Sequence, residues 1–314
     1  MVIAMRLDLD SRTYNKQAEI GILTLATKDD YRKAIGLVQS VHKSNPSLPT
    51  AIACSKWIGD KVGSYFDYVI EEYTELNGFQ HKLYLDYYSP FKNTLFLDAD
   101  VLIFRDLRHI LDKWQGHSYA ARGIYVETGY SSFGLDRALV LKKINKKRLV
   151  CLGGAGHAYF EKPDCAEIFN LARSIMKNYV HYANKCKFAD EDIMGIAMTM
   201  LNLPPMDNKG FPARRMHAKP GTFQVDVLKS QCSFVDRATG EYINPVMVHF
   251  ACLEAPFLYH ACLEELRREA GLHRSFLWLR DASLEFYKKE IYWKVKKVLK
   301  SLTAVPKKTV MKAD

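Results

Sequence analysis

Residues 19–27, EIGILTLAT, carry an almost unbroken apolar run that ends in turn chemistry, the pattern of a strand covered on both faces within a parallel sheet. A parallel neighbour can be reached only through a crossover, usually a helix, and the sequence supplies one at once. Tyr31, Ala34 or Ile35, Val38 and Val41 recur with a 3.6-residue period until Ser44 to Pro46 stops the pattern. Thr27 followed by Asp30 resembles a capping box at its start. Further strands are predicted at 50–55 (TAIACS), 67–72 (DYVIEE) and 93–104 (NTLFLDADVLIF), with a helix at 78–89. Strand and helix in repeated alternation predict an α/β fold with a Rossmann-like, mostly parallel central sheet flanked by helices.

Beyond residue 105 the alternation loosens. Loops are expected over the Gly- and Tyr-rich 123–134 and the basic 142–148, then a turn into a strand at 153–160 and a helix over 163–177. A helix from about Asp190, a strand at 246–250 and helices thereafter complete the expectation. With 314 residues, 48% of them hydrophobic, the chain can bury a substantial core, which excludes disorder as its main state. Its richest apolar stretch, 246–263, is interrupted by His249, Glu254, Pro256 and His260, so no membrane-spanning helix is expected. The opening MVIAMRLDLD lacks the apolar core of a secretory signal, and a cytoplasmic location is the expectation. Seven cysteines without a C-x-x-C pair predict mostly buried thiols in a reducing compartment.

Two carboxylates, Asp98 and Asp100, interrupt the apolar run that resumes from Val101 to Phe104. In a strand, residues i and i+2 share a face, so both could converge on one cation at the carboxyl end of the sheet, where ligands bind. Oxygen ligands suit Mn²⁺ or Mg²⁺. The same pattern also suits a strand-end turn with solvated aspartates.

In company with Leu25 to Tyr31, His81-Lys82-Leu83-Tyr84, Gly153-Gly154, Asp190-Glu191-Asp192 and Val248-His249-Phe250, Asp98-Ala99-Asp100 gives a chain that resembles the retaining nucleotide-sugar glycosyltransferases of glycosyltransferase family 8, the glycogenin and bacterial lipopolysaccharide galactosyltransferase group. Residues 25–31, with Ala26, Thr27 and Tyr31, resemble the family's uridine-holding turn, Tyr31 stacking on the base. His81-Lys82-Leu83-Tyr84 is similar to the helix whose Lys reaches the donor, and Asp98-Ala99-Asp100 to the family's metal-binding D-x-D. Gly153-Gly154 resembles the segment receiving the donor sugar, and Asp190-Glu191-Asp192 the acidic helix start bordering it. His249, within Val248-His249-Phe250, resembles the third metal ligand. The resemblance spans 25–257 and implies a GT-A fold and a metal-dependent, retaining transfer of a hexose from a UDP-sugar, UDP-glucose or UDP-galactose, to a glycan or glycolipid hydroxyl. It assigns Lys82, Asp190 and Glu191 to catalysis, and Asp98, Asp100 and His249 to Mn²⁺ or Mg²⁺. Two departures stand out: Gly153-Gly154-Ala155-Gly156 replaces an Asn-Ser-Gly turn, and Cys252 and Ala255 stand where Gly and a phosphate-gripping Lys are usual, a role open to Arg214, Arg215 or Lys219.

The net charge of +10 is concentrated in residues 266–314, which hold thirteen Lys or Arg against five Asp or Glu. Leu284, Tyr287, Ile291, Val295, Val298 and Leu302 form an apolar helical stripe, with Tyr292 and Trp293 beside it and Lys294, Lys297 and Lys300 elsewhere on the wheel. Such a helix can dock on its own domain or on an anionic bilayer. The chain accordingly divides into a catalytic domain, 1–257, and a basic helical extension, 258–314. Two alternatives use the same residues differently: a noncatalytic nucleotide-binding protein on this fold, and a metal-dependent nucleic-acid enzyme. No nucleic-acid-binding motif is recognised, so no nucleic-acid partner is expected.

Overall fold

A computed structural model of the chain describes residues 3–5, 19–27, 30–153, 156–183, 186–207, 213–214, 217–250, 255–273, 275–288, 291 and 295. The chain divides into two units, 1–251 and 252–314. The first begins with β1 (Ile3–Met5), β2 (Ile20–Ala26), α1 (Tyr31–Ser44), β3 (Thr50–Cys54), α2 (Lys56–Val62), β4 (Tyr68–Glu71), a 3-10 helix at Gly78–Tyr84 and α3 (Leu85–Tyr88). Next come β5 (Asn93–Asp98), β6 (Val101–Ile103), α4 (Arg108–Trp114), β7 (Tyr119–Ala120), β8 (Gly123–Val126), α5 (Arg137–Ile144), β9 (Leu149–Leu152) and β10 (His157–Glu161). It ends with α6 (Ala166–Lys177), α7 (Tyr179–Ala183), α8 (Asp190–Met200), β11 (Ala213–Arg214), β12 (Gln224–Asp226), β13 (Gln231–Val235), β14 (Tyr242–Ile243) and β15 (Met247–His249). The second unit contains α9 (Pro256–Glu269) and α10 (Leu277–Tyr287).

Seven strands form the main sheet in the order β1-β4-β3-β2-β5-β10-β7. Neighbours from β1 to β5 are parallel, while β10 runs antiparallel to both β5 and β7. The chain builds outward from β2 through β3 and β4, then returns to lay β5 on the opposite edge of β2. Such a reversal opens a crevice at the carboxyl ends of the two strands, where Leu25 lies opposite Asp98. The expected α/β architecture is the one that forms.

Strand pleating sends alternate side chains to opposite faces. Ile22, Leu95 and Leu97 pack with Leu37 and Val41 of α1 and Trp114 of α4. Leu23 and Phe96 instead meet Phe169 of α6 and Ile193 and Met198 of α8. Each of these side chains is buried, at roughly 1.5–3 kcal/mol apiece for the larger aliphatic and aromatic ones. In the second unit, His260 Nε2 lies 3.0 Å from Glu285 Oε2, tying α9 to α10. Among the described residues, no helix is long and apolar enough to cross a membrane. Cys54, Cys165, Cys232 and Cys262 are buried, and Cys151 and Cys186 are partly buried.

Four local expectations are corrected. The run 93–104 is two strands, because Asp98 and Asp100 lie only partly buried and the chain turns between them; β6 joins a second sheet, ordered β11-β15-β6. Most of 78–89 is a 3-10 helix: Gly78 is left-handed at φ +54°, and the side chain of Gln80 accepts the Asn77 N–H at 2.9 Å. Over 123–126 the expected loop is replaced by β8, which pairs antiparallel with β9, a segment distant in sequence, and over 142–144 by the end of α5, while 145–148 form the expected turn. α1 opens at Asp30, whose N–H is bonded by the Thr27 carbonyl at 3.2 Å, with no side-chain cap. Lys28, Asp29, Gly154, Ala155, Arg215, Cys252, Tyr292 to Lys294, Lys297, Val298, Lys300 and Leu302 lie outside the described residues.

Helix α8 approaches β9 closely at Gly195. The Thr199 hydroxyl donates to the Gly195 carbonyl at 2.7 Å and accepts the Val150 N–H at 2.8 Å. A Cβ on Gly195 would sit 2.4 Å from the Val150 carbonyl oxygen, a backbone atom that cannot move aside. Gly195→Ala is therefore expected to destabilise the fold by about 1–3 kcal/mol in urea unfolding, overriding the roughly 1 kcal/mol by which Ala is favoured in a helix interior. Unchanged or raised stability would show that α8 can shift off the strand.

Candidate metal and donor site

The turn at Ala99 and Asp100 passes the chain from the main sheet to the second one. Asp98 closes β5, and Val101 opens β6 in register with His249 at the end of β15. The Phe250 N–H donates to the Asp100 carbonyl at 3.0 Å, and the Asp98 N–H donates to the Gly156 carbonyl at 2.6 Å. These backbone bonds carry three side chains together: His249 Nε2 lies 3.0 Å from Asp100 Oδ1 and 3.9 Å from Asp98 Oδ2. One ligand atom from each of Asp98, Asp100 and His249 lies within 4.8 Å of the others. The two aspartates thus meet through a turn rather than through the pleat of one strand.

Two carboxylate oxygens and an imidazole nitrogen are a donor set that accepts a divalent cation such as Mn²⁺. The surrounding backbone keeps room for the set: Gly156 is left-handed at φ +57°, and a Cβ there would fall 2.8 Å from His249 Cε1 and 3.0 Å from Asp98 Cβ. Although burial pushes the Asp100 carboxyl up, the His249 hydrogen bond and charge hold it below the usual range.

Lys82, from the 3-10 helix, reaches the same aspartate from the other side. Its Nζ lies 2.8 Å from Asp98 Oδ1 and 3.6 Å from Asp190 Oδ2 at the start of α8. Burial alone would lower the Lys82 pKa, but Asp190 and Asp98 outweigh it and raise it, so the ammonium stays charged. Lys82, Asp190, Glu191 and Gly153 line an open cleft. Phe96, Tyr119, Arg122, His157 and Met194 line it too. No motif marks these last positions, since most depend on how β7, β10 and α8 pack. For Gly156, the third glycine of the 153–156 run was the available sequence signal.

The three consecutive acids of α8 face different surroundings. Asp190 faces Lys82 and Glu191 faces the cleft, while Asp192 accepts the Ser131 hydroxyl at 2.7 Å. Burial raises the pKa of all three. Ala26 is fully buried at the end of β2, next to the partly exposed Thr27. Tyr31 packs edge-on against Trp57 at 5.9 Å, and the Lys61 ammonium lies 4.5 Å from the Trp57 ring centroid. Ala99 is buried within the turn between β5 and β6, and Arg214 pairs with His249 in strand register.

Burial, followed by the charge of Asp190, pushes Glu191 up from 4.5 to about 7. The folded chain then holds this proton more tightly than the unfolded one. The contribution to stability is full below about pH 4.5 and is lost as pH rises to about 7. In cation-free buffer, Glu191→Gln is expected to gain on the wild type by on the order of 2 kcal/mol over that window, read from urea unfolding at each pH. Parallel curves would show that Glu191 titrates as a solvated carboxyl.

No protein-family model matches the sequence, and no curated protein is significantly similar to it. Solved structures do match. The apo structure of a bifunctional glycosyltransferase, WbbM, superposes with a TM-score of 0.52 at 13% identity, covering 84% of this chain and 50% of that one. The chain thus spans about half the length of that protein. A galactosyltransferase, LgtC, in complex with donor and acceptor sugar analogues, superposes with a TM-score of 0.51 at 16% identity, covering 80% of this chain and 95% of that one. At these identities the likeness is one of architecture: the chain has the GT-A fold of those structures.

Proposed function

We propose that the chain is a metal-dependent, retaining glycosyltransferase that moves a hexose from UDP-glucose or UDP-galactose to a hydroxyl of a glycan or glycolipid. The observation that carries this reading is the convergence of Asp98, Asp100 and His249 at the strand reversal, with Lys82 and Asp190 beside them. The cation these three residues would hold supplies charge neutralisation on a departing diphosphate. Lys82, fixed between two carboxylates, orients donor oxygens without having to be recruited at the moment of reaction. Ala26, Thr27 and Tyr31 contribute to the nucleoside side, and Gly153 and Gly154 to the sugar side. Asp190 is the carboxylate placed to serve retention, either as nucleophile in two displacements or by stabilising an oxocarbenium-like state during front-face attack. Glu191 lines the sugar cleft as a second acid.

Calorimetric titration with UDP, with and without Mn²⁺, tests this reading. Binding is expected to depend on Mn²⁺ and to be abolished in Asp98→Ala and Asp100→Ala. UDP binding indifferent to the ion and to both substitutions would overturn the metal role, and no binding at all would overturn the transferase reading.

The second unit supports a place of work at the inner face of a membrane. Phe276 is 69% exposed, and Leu277, Leu284, Phe286, Tyr287, Ile291 and Val295 are also exposed, in the part of the chain that carries the basic excess. Apolar groups entering the lipid with lysines at the headgroups would hold the enzyme by a lipid-borne acceptor. The full chain is expected to co-sediment with anionic vesicles and only weakly with neutral ones. A chain ending at Tyr287 should lose most of that binding while keeping its UDP affinity; undiminished sedimentation would sink the membrane role.

A further inference from the structure

We propose that Phe79 and Phe133 form an acceptor platform beside the cleft, a corner of two aromatic rings that receives a pyranose by its apolar C–H face. The inference rests on the transferase reading above and gives the acceptor a chemical class. Phe79 lies in the 3-10 helix that bears Lys82 and is 45% exposed. Its ring meets Phe133 with centroids 6.0 Å apart and planes at 80°, so one ring offers a floor and the other a wall. A pair built only for packing looks different: Phe160 and Phe169 have almost the same mutual angle, 81°, but are fully buried.

Position ties the corner to the site. The Lys82 ammonium lies 5.7 Å from the Phe79 ring centroid and 5.7 Å from that of Phe96, which lines the cleft. A sugar resting on Phe79 would therefore stand next to the charged group at the centre of the site. The Phe133 loop is also held in shape. Ser131 Oγ accepts the N–H groups of Phe133 at 3.2 Å and Leu135 at 3.1 Å, and donates to Asp192. The Phe133 carbonyl accepts the Lys187 N–H at 3.3 Å, and Gly134, left-handed at φ +92°, closes the turn. Tyr130, on the same loop, is 70% exposed.

The chemistry of a hexopyranose matches this corner. Its axial C–H groups make one face apolar while its hydroxyls crowd the rim, and the electron-rich face of an aromatic ring attracts such C–H groups. Rigid aromatic rings present this area at little entropic cost.

Saturation-transfer NMR on the full chain, with UDP and Mn²⁺ present, tests the platform using methyl β-D-glucopyranoside and methyl β-D-galactopyranoside as probes. Saturation of ring C–H protons is expected with at least one of them. It should fall by about fivefold or more in Phe79→Ala and Phe133→Ala and persist in Phe79→Tyr, with UDP affinity unchanged in all three. Equal saturation in wild type and both alanine variants, or none in a wild type that binds UDP, would overturn the platform. Loss of UDP binding by the wild type would instead strike the transferase reading, while pyranoside saturation sensitive to Phe79 would still support the platform.

Discussion

The structure depends on a conflict resolved between residues 98 and 101. An apolar strand runs into two carboxylates that cannot be taken into the core as unpaired charges without a penalty of several kcal/mol each. The chain resolves it by leaving the main sheet at Asp98 and entering another at Val101, where β15 is waiting as an antiparallel partner. That switch brings His249 against the turn, for it ends the strand registered with Val101. The passage between the two sheets and the gathering of Asp98, Asp100 and His249 are consequences of one break.

Charge balance accounts for the second layer of the site. Asp98 meets Lys82 on one side and approaches His249 on the other, so a carboxylate of modest exposure is flanked by two positively polarised groups. Lys82 in turn draws on Asp190, and the pair of carboxylates compensates the desolvation of the ammonium. Side chains held this way need little reorganisation when a charged substrate arrives, which is the property that makes preorganised electrostatics effective.

What the sequence makes legible follows from which contacts are local. Strands β2 to β5 and helix α1 announce themselves because each carries its own apolar period, and the Asp98, Asp100, Lys82 and His249 set was visible as residue types in order. The β8 and β9 pair was not, since neither four-residue strand has a pattern of its own and each exists by virtue of the other. For the same reason the lining contributed by Arg122 and His157 was hidden: β7 and β10 find each other only once the sheet is assembled. Gly156 shows the converse case, a visible glycine whose meaning, a left-handed backbone packed on His249, is a fact of three dimensions.

The acidic start of α8 links Lys82 to the Phe133 loop. Aspartates and glutamates are favoured in the first turn by the helix dipole, so three in succession cost little there. Successive helical positions point about 100° apart, and these three are spent in three directions. Asp190 steadies Lys82, Glu191 lines the cleft, and Asp192 fastens the Phe133 loop through Ser131. Because α8 is locked to β9 by the Gly195 and Thr199 contacts, one helix end positions the carboxylate beside Lys82 and the Phe133 loop together. A displacement of that helix would therefore alter both at once, and its close packing on β9 at Gly195 opposes it.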